Sequence, residues 1–148
     1  MPPVLVDLGN TRLKWAILRE DGELFELPPI ALLGDGFQGV WWSETGLPRS
    51  LEQTPWWIAS VNPPRARELT ERLQQAGALE IHLFTNAGEV PIANRLATPG
   101  TTGVDRALIA LASSRRVPRG TGCLVVSCGT AITVERLDRQ GIWEGGAI

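Results

Sequence analysis

The chain has 148 residues, 43% hydrophobic and 20% charged, with a formal net charge of −2. That composition describes one globular domain, or one and a fraction, with a real core, and it excludes a disordered chain and a strongly basic nucleic-acid binder. With two cysteines and one histidine there is neither a disulfide scaffold nor a zinc cluster, and no apolar run is long enough to span a bilayer.

Met1-Pro2-Pro3-Val4 enters a strand directly, without a signal peptide, so the cytoplasm is the expected location. Val4 to Leu8 reads as a strand with an acid, Asp7, near its end. Gly9-Asn10-Thr11 is a tight turn, and Leu13 to Leu18 resumes the apolar pattern: a hairpin. Gly9 and Asn10 tolerate the positive φ such a turn can demand. A Gly/Asn/Thr turn also offers backbone N–H groups and a hydroxyl to phosphate oxygens, and the neighbouring Asp7 suits Mg²⁺ held through water. An ordinary hairpin with an exposed acid explains the same residues.

Gly22 turns the chain, and Glu23 to Leu27 reads as a third strand closing a meander, ended by Pro28-Pro29. From Ile30 to Pro55 glycines break the pattern, with a short helix expected near Ser43–Glu52. Trp41, Trp42, Trp56 and Trp57 are expected as core or interface anchors. Trp56 to Val61 is a strand. Asn62 is a candidate N-cap before Pro63-Pro64, and Ala66, Leu69, Leu73 and Ala76 recur at helical spacing until Gly77. Glu80 to Phe84 is the next strand, with His82 expected on a polar face. Strand–helix–strand after an antiparallel meander predicts a mixed sheet with helix cover over roughly residues 1 to 85.

Thr85 to Thr102 is long for a connection and reads as a domain crossing or an active-site loop. Val104 to Ala112 is helical, with Asp105 in its first turn, where an acid also favours the helix dipole. Arg115-Arg116 and Arg119 read as the solvated end of that helix. Cys123 to Glu135 then repeats the early pattern of strand, Gly-Thr turn and strand, with Cys123 and Cys128 expected as buried small residues on opposite faces. Two such hairpins suit one nucleotide approached from two sides, which resembles the layout of the actin-like, sugar-kinase-like ATPases.

Three segments together make the resemblance narrower. Asp7-Leu8-Gly9-Asn10-Thr11 with Lys14, then Gly103-Val104-Asp105-Arg106, then Ser127-Cys128-Gly129-Thr130-Ala131-Ile132-Thr133 are similar, in this order, to the motifs of the type III pantothenate kinases. The terminal Gly145-Gly146-Ala147-Ile148 resembles the start of that family's adenosine-side motif. The resemblance implies an α/β fold, an actin-like ATPase (ribonuclease H-like) mixed sheet with helices. Residues 1–85 would be the first domain, 86–102 a connecting or active-site loop, and 103–148 an incomplete second domain.

It implies ATP-dependent phosphorylation of pantothenate to 4'-phosphopantothenate, the first step of coenzyme A biosynthesis. Asp105 would be the general base. Gly103, Val104, Asp105 and Arg106 would bind pantothenate. Asp7, Gly9, Asn10, Thr11, Lys14, Gly129 and Thr130 would bind ATP and its phosphates, with Asp7 also holding Mg²⁺. Ser127 stands where the family's third motif normally begins with Asp. The implied cofactors are ATP, Mg²⁺ and a monovalent cation, K⁺ or NH₄⁺. The implied assembly is a homodimer, with no nucleic acid and no membrane as partner. Members of that family are much longer, so the chain is expected to be a C-terminally truncated form. The alternatives are a non-catalytic, accessory-factor-like member and a superfamily kinase with another substrate.

Overall fold

The computed structural model describes residues 1–32, 51–129 and 131–148. They fall into two compact units, Met1–Phe84 and Thr85–Ile148.

The first unit is one five-stranded sheet in the order β3-β2-β1-β4-β5, with one helix. Its strands are β1 (Val4–Leu8), β2 (Arg12–Leu18), β3 (Leu24–Ala31), β4 (Trp56–Ser60) and β5 (Ile81–Phe84), and α1 spans Pro63–Gln75. β1, β2 and β3 pair antiparallel, whereas β4 runs parallel to both β1 and β5. The parallel step needs a crossover, and α1 supplies it. This is the predicted mixed sheet with helix cover, and its strand order is that of the ribonuclease H-like sheet expected of an actin-like ATPase.

Alternation builds the core. Val4, Val6 and Leu8 share one face of β1 with Leu13 and Trp15 of β2 and with Trp56 and Ile58 of β4, all buried. Ala66, Leu69 and Leu73 of α1 close over that face. Each fully buried leucine there contributes about 1.5–3 kcal/mol relative to exposure. Asn62 caps α1 through its side-chain oxygen, which accepts the Arg65 N–H, and prolines fill the first turn. Gly77 ends the helix region at φ +99°, a left-handed backbone that glycine adopts without strain.

One expectation needs correction here, and two side chains find more specific settings than the sequence showed. Pro28-Pro29 do not end β3. The register passes from Leu13↔Ile30 to Trp15↔Leu27, so the prolines sit in a bulge on an edge strand, where a missing N–H is tolerated. The Trp15 indole N–H donates to the Pro28 carbonyl at 2.9 Å and helps hold the bulge. Of the adjacent tryptophans, Trp56 is core but Trp57 is exposed, because neighbours on a strand point to opposite faces; Trp41 and Trp42 lie outside the described residues. The His82 side chain is 40% exposed and paired with Glu80, its Nε2 3.0 Å from a glutamate oxygen, and it also stacks on Trp57, ring centroids 4.3 Å apart. The helix expected near Ser43–Glu52 lies almost wholly outside the described residues, and Leu51-Glu52-Gln53 form a turn.

The second unit opens with two single 3₁₀ turns, Ala87–Glu89 and Pro99–Thr101, in the segment read as a loop. Asn86 and Glu89 form a capping box around the first turn. Ala87, Val90 and Ile92 are buried. Helix α2 (Val104–Arg116) follows, then the antiparallel sheet β6 (Cys123–Cys128), β7 (Ile132–Leu137) and β8 (Trp143–Ala147). Arg115 and Arg116 occupy the exposed last turn of α2, as predicted. On β6 and β7, Leu124, Val126 and Ile132 are exposed; by register they share one face, opposite Glu135 and Leu137.

Candidate active site

The first hairpin brings two predicted residues together. Asp7 and Lys14 are direct partners in the β1–β2 register, and the Lys14 ammonium lies 3.1 Å from Asp7 Oδ2, both side chains exposed. An exposed pair of this kind stabilises by about 0–1 kcal/mol. The turn between them is closed by the Gly9 N–H donating to the Arg12 carbonyl at 3.0 Å. That N–H is therefore engaged within the turn. Neither Gly9 nor Asn10 takes a positive φ, because the four-residue closure is reached without one.

Asn10 is held from a second direction. Asn62 Nδ2 donates to Asn10 Oδ1 at 3.2 Å, while Asn62 Oδ1 caps α1. Ser60 Oγ, buried, donates to the Leu8 carbonyl at 3.1 Å and accepts from the Asn62 N–H at 3.0 Å. The turn after β1 and the start of α1 are thus one hydrogen-bonded assembly at the ends of two parallel strands.

In the second unit, Gly103 is the N-cap residue of α2. Val104 is buried, and Asp105 is exposed in the first turn. Asp105 Oδ1 accepts the Arg106 N–H at 2.8 Å. Arg106 turns the other way, onto β7. Its Nε and Nη2 form a two-pronged pair with Glu135, the second prong at 3.0 Å. Glu135 is fully buried, and its Oε2 also accepts the Trp143 indole N–H at 2.9 Å. The Glu135 hydrogen bonds hold the guanidinium protonated, above its ordinary value, against a smaller opposing effect of burial. Removing one member of such a buried pair typically costs about 3–5 kcal/mol.

Glu135 is the residue sequence reasoning missed as a site element. Its signal was present: Thr133, Glu135 and Leu137 alternate on one face, so an acid shares the covered face of a strand. Gly146 stands opposite Glu135. A Cβ there would run into the Val134 carbonyl and come within 2.8 Å of Glu135 Oε2, so the close approach of β8 demands glycine.

Ser127, half-buried, faces Thr133 across β6 and β7. The Gly129 N–H bonds the Ala131 carbonyl at 3.0 Å, so like Gly9 it closes its own turn. Thr130 lies outside the described residues. Cys123 is half-buried and Cys128 exposed, correcting the expectation that both are buried: β6 is an edge strand with one bare face. Among the described residues no three His, Cys, Asp or Glu gather to hold a metal. A single exposed carboxylate, Asp7, fits a Mg²⁺ that arrives with nucleotide phosphates and keeps its waters, and does not fit an all-protein cage.

The model of the type III pantothenate kinase family matches residues 4–148. Among curated relatives, the type III pantothenate kinase of Aromatoleum aromaticum is 31% identical over 98% of this chain and 57% of its own length. That of Halorhodospira halophila is 34% identical over 98% of this chain and 58% of its own. The chain therefore spans little more than half the length of these relatives. Among solved structures, the Aquifex aeolicus Ppx/GppA phosphatase (type II variant) gives a TM-score of 0.45 at 16% identity, covering 99% of this chain and 51% of that one. With the family model matched from the first strand to the last residue and all three motifs in order, the chain belongs to the type III pantothenate kinase family.

Proposed function

We propose that the protein of which this chain is all or part transfers the γ-phosphoryl group of ATP to the hydroxyl of pantothenate. The observation that carries this reading is the head of α2. There an exposed carboxylate, Asp105, and an arginine anchored by a buried acid, Arg106, stand side by side within the Gly103–Arg106 motif. Phosphoryl transfer asks for in-line positioning and charge neutralisation more than for covalent chemistry. Asp105 would orient the substrate hydroxyl and take its proton, a contribution of about 10²–10⁴-fold. Gly103, Val104 and Arg106 would line the pantothenate side.

Asp7 would hold Mg²⁺ through water. The Gly9, Asn10 and Thr11 turn with Lys14, and Gly129 with Thr130, would contact the ATP phosphates, the two glycines by close backbone approach rather than through the N–H groups their turns already use. Lys14 would exchange Asp7 for phosphate. A bound Mg²⁺ would supply charge neutralisation at the phosphates, and a monovalent cation, K⁺ or NH₄⁺, would complete the cofactor set. Ser127, a hydroxyl at the family's acid position, would bring a dipole where the family has a charge. We also read residues 1–85 as the first domain, 86–102 as the connecting loop and 103–148 as the beginning of the second. The break between compact units at Phe84/Thr85 falls beside the first of these boundaries. A cytoplasmic homodimer is the assembly this reading carries.

The test is transfer of labelled γ-phosphate from ATP to pantothenate, with Mg²⁺ and K⁺, by the complete natural gene product and by the 148-residue chain. Asp105→Asn should abolish product while leaving ATP binding within about twofold, as loss of a base alone predicts. Product at the wild-type rate removes Asp105 from that role. No product from the complete gene product refutes the kinase reading and favours a non-catalytic member.

A further inference from the structure

We infer that Glu135 is a positioning residue: it fixes the Arg106 guanidinium so that its remaining N–H groups face an anionic group of the substrates. The inference rests on the kinase reading of the Gly103–Arg106 segment and adds a residue that the motif does not contain. An arginine has five N–H donors in a planar fork. Glu135 takes the edge formed by Nε and Nη2, so both Nη1 donors point away from the buried acid. The Trp143 indole N–H on Oε2 stops the carboxylate from rotating, and Gly146 leaves room for β8 beside it. A rotamer-rich side chain on the first turn of a helix is thereby reduced to one orientation next to Asp105.

A guanidinium with no such anchor would screen Asp105 itself, one residue away. Held onto β7, it leaves Asp105 exposed and presents charge to a ligand instead. The anionic group it meets is either the carboxylate of pantothenate, in the ground state, or the transferring phosphoryl group, in the transition state. These two arms separate kinetically.

The experiment compares wild type, Glu135→Gln, Arg106→Gln and the double variant in the complete gene product, with KM for each substrate, kcat and thermal unfolding. Glutamine keeps the shape of Glu135 but sets an NH₂ against two donors. The expected result for Glu135→Gln is a change of about tenfold to a hundredfold in one parameter only. A rise in pantothenate KM assigns the carboxylate arm, and a fall in kcat at constant KM assigns the phosphoryl arm. In the Arg106→Gln background the same change should add less than about twofold, because Glu135 acts through Arg106.

Unchanged constants in a folded Glu135→Gln overturn the inference. So does an equal rise of both KM values, or full additivity in the double variant. If Glu135→Gln does not fold, Trp143→Phe carries the test: it removes one hydrogen bond to Oε2, and about a threefold shift of the same parameter is expected, no shift being the overturning result. If wild type makes no product from pantothenate, the kinase reading fails and this inference falls with it; if wild type is active and the variants behave like it, this inference fails alone.

Discussion

Asn62 is the place where helix stability and the first candidate phosphate turn can be separated by substitution. Its Oδ1 accepts the Arg65 N–H at 3.2 Å and its Nδ2 donates to Asn10 Oδ1 at 3.2 Å. Asn62→Ala removes both. Loss of an N-cap costs about 0.5–2 kcal/mol, and the exposed amide–amide bond adds about 0.5 kcal/mol, at the low end for a neutral pair in water. The sum is roughly 1–2.5 kcal/mol. Asn62→Ser keeps a capping oxygen but cannot reach Asn10, so it should lie within about 0.5 kcal/mol of wild type. Urea unfolding followed by far-ultraviolet circular dichroism reads both, with m unchanged if only stability moves. The functional readout is ATP binding by calorimetry. Both variants should weaken it to a similar degree, because both release Asn10, although only Ala lowers stability. An Asn62→Ala protein as stable as wild type refutes the cap argument. An Asn62→Ser protein with wild-type ATP affinity refutes the claim that Asn62 shapes the turn.

Gly146→Ala should destabilise by at least about 2 kcal/mol in the same urea assay, since overpacking against backbone rarely relaxes and the new methyl would meet the Val134 carbonyl and Glu135; a neutral result would mean that β8 can move. The Thr85 N–H, above all, holds the Glu89 carboxyl below its ordinary value, against a smaller effect of burial and with help from Asn86. A depressed folded value stabilises above the unfolded value and loses that stabilisation as pH falls through the folded one. The stability advantage of wild type over Glu89→Gln should therefore be full at neutral pH and shrink on acidification below about 4.5, and an advantage that stays level to pH 3 contradicts it. Ser127→Asp should raise Mg²⁺-dependent phosphoryl transfer if charge at the head of the third motif limits the metal, and an unchanged rate rejects that idea.

The elements with strong periodicity were legible in the sequence. The apolar run ending in Asp7 marked Val4–Leu8 as a strand, the 3–4 spacing of Ala66, Leu69 and Leu73 put them on one buried helix face, and Asn62 with two prolines marked the helix start. The mixed sheet with helix cover followed from the order of these elements, and the actin-like ATPase class from the motif resemblance. What was not legible depended on partners distant in the chain. Pro28-Pro29 read as a stop because a bulge is a property of two strands, visible only once Trp15 reaches the Pro28 carbonyl. Trp57 and His82 were expected as a core or interface anchor and a polar-face residue; that they stack on one another was not legible, since facing depends on which side α1 covers. In the candidate site, the motif residues Asp105 and Arg106 were readable locally, but their division of labour was not: Arg106 is tied to an acid 29 positions away. Both glycine turns were readable as turns, but the backbone closures that engage the Gly9 and Gly129 N–H groups were not.

The bulge at Pro28-Pro29 also decides how this sheet meets other polypeptides. β3 lies at one margin of the five-stranded sheet, the kind of border on which a stray extended segment can dock by backbone pairing. Two consecutive residues there have no N–H to give, and the Pro28 carbonyl is already engaged by Trp15. A sixth strand arriving from that side would find a gap in the ladder at its centre. The same two residues that interrupt the β2–β3 register therefore act as a barrier to growth, keeping a nascent or crowded chain from zipping onto its neighbours along that border.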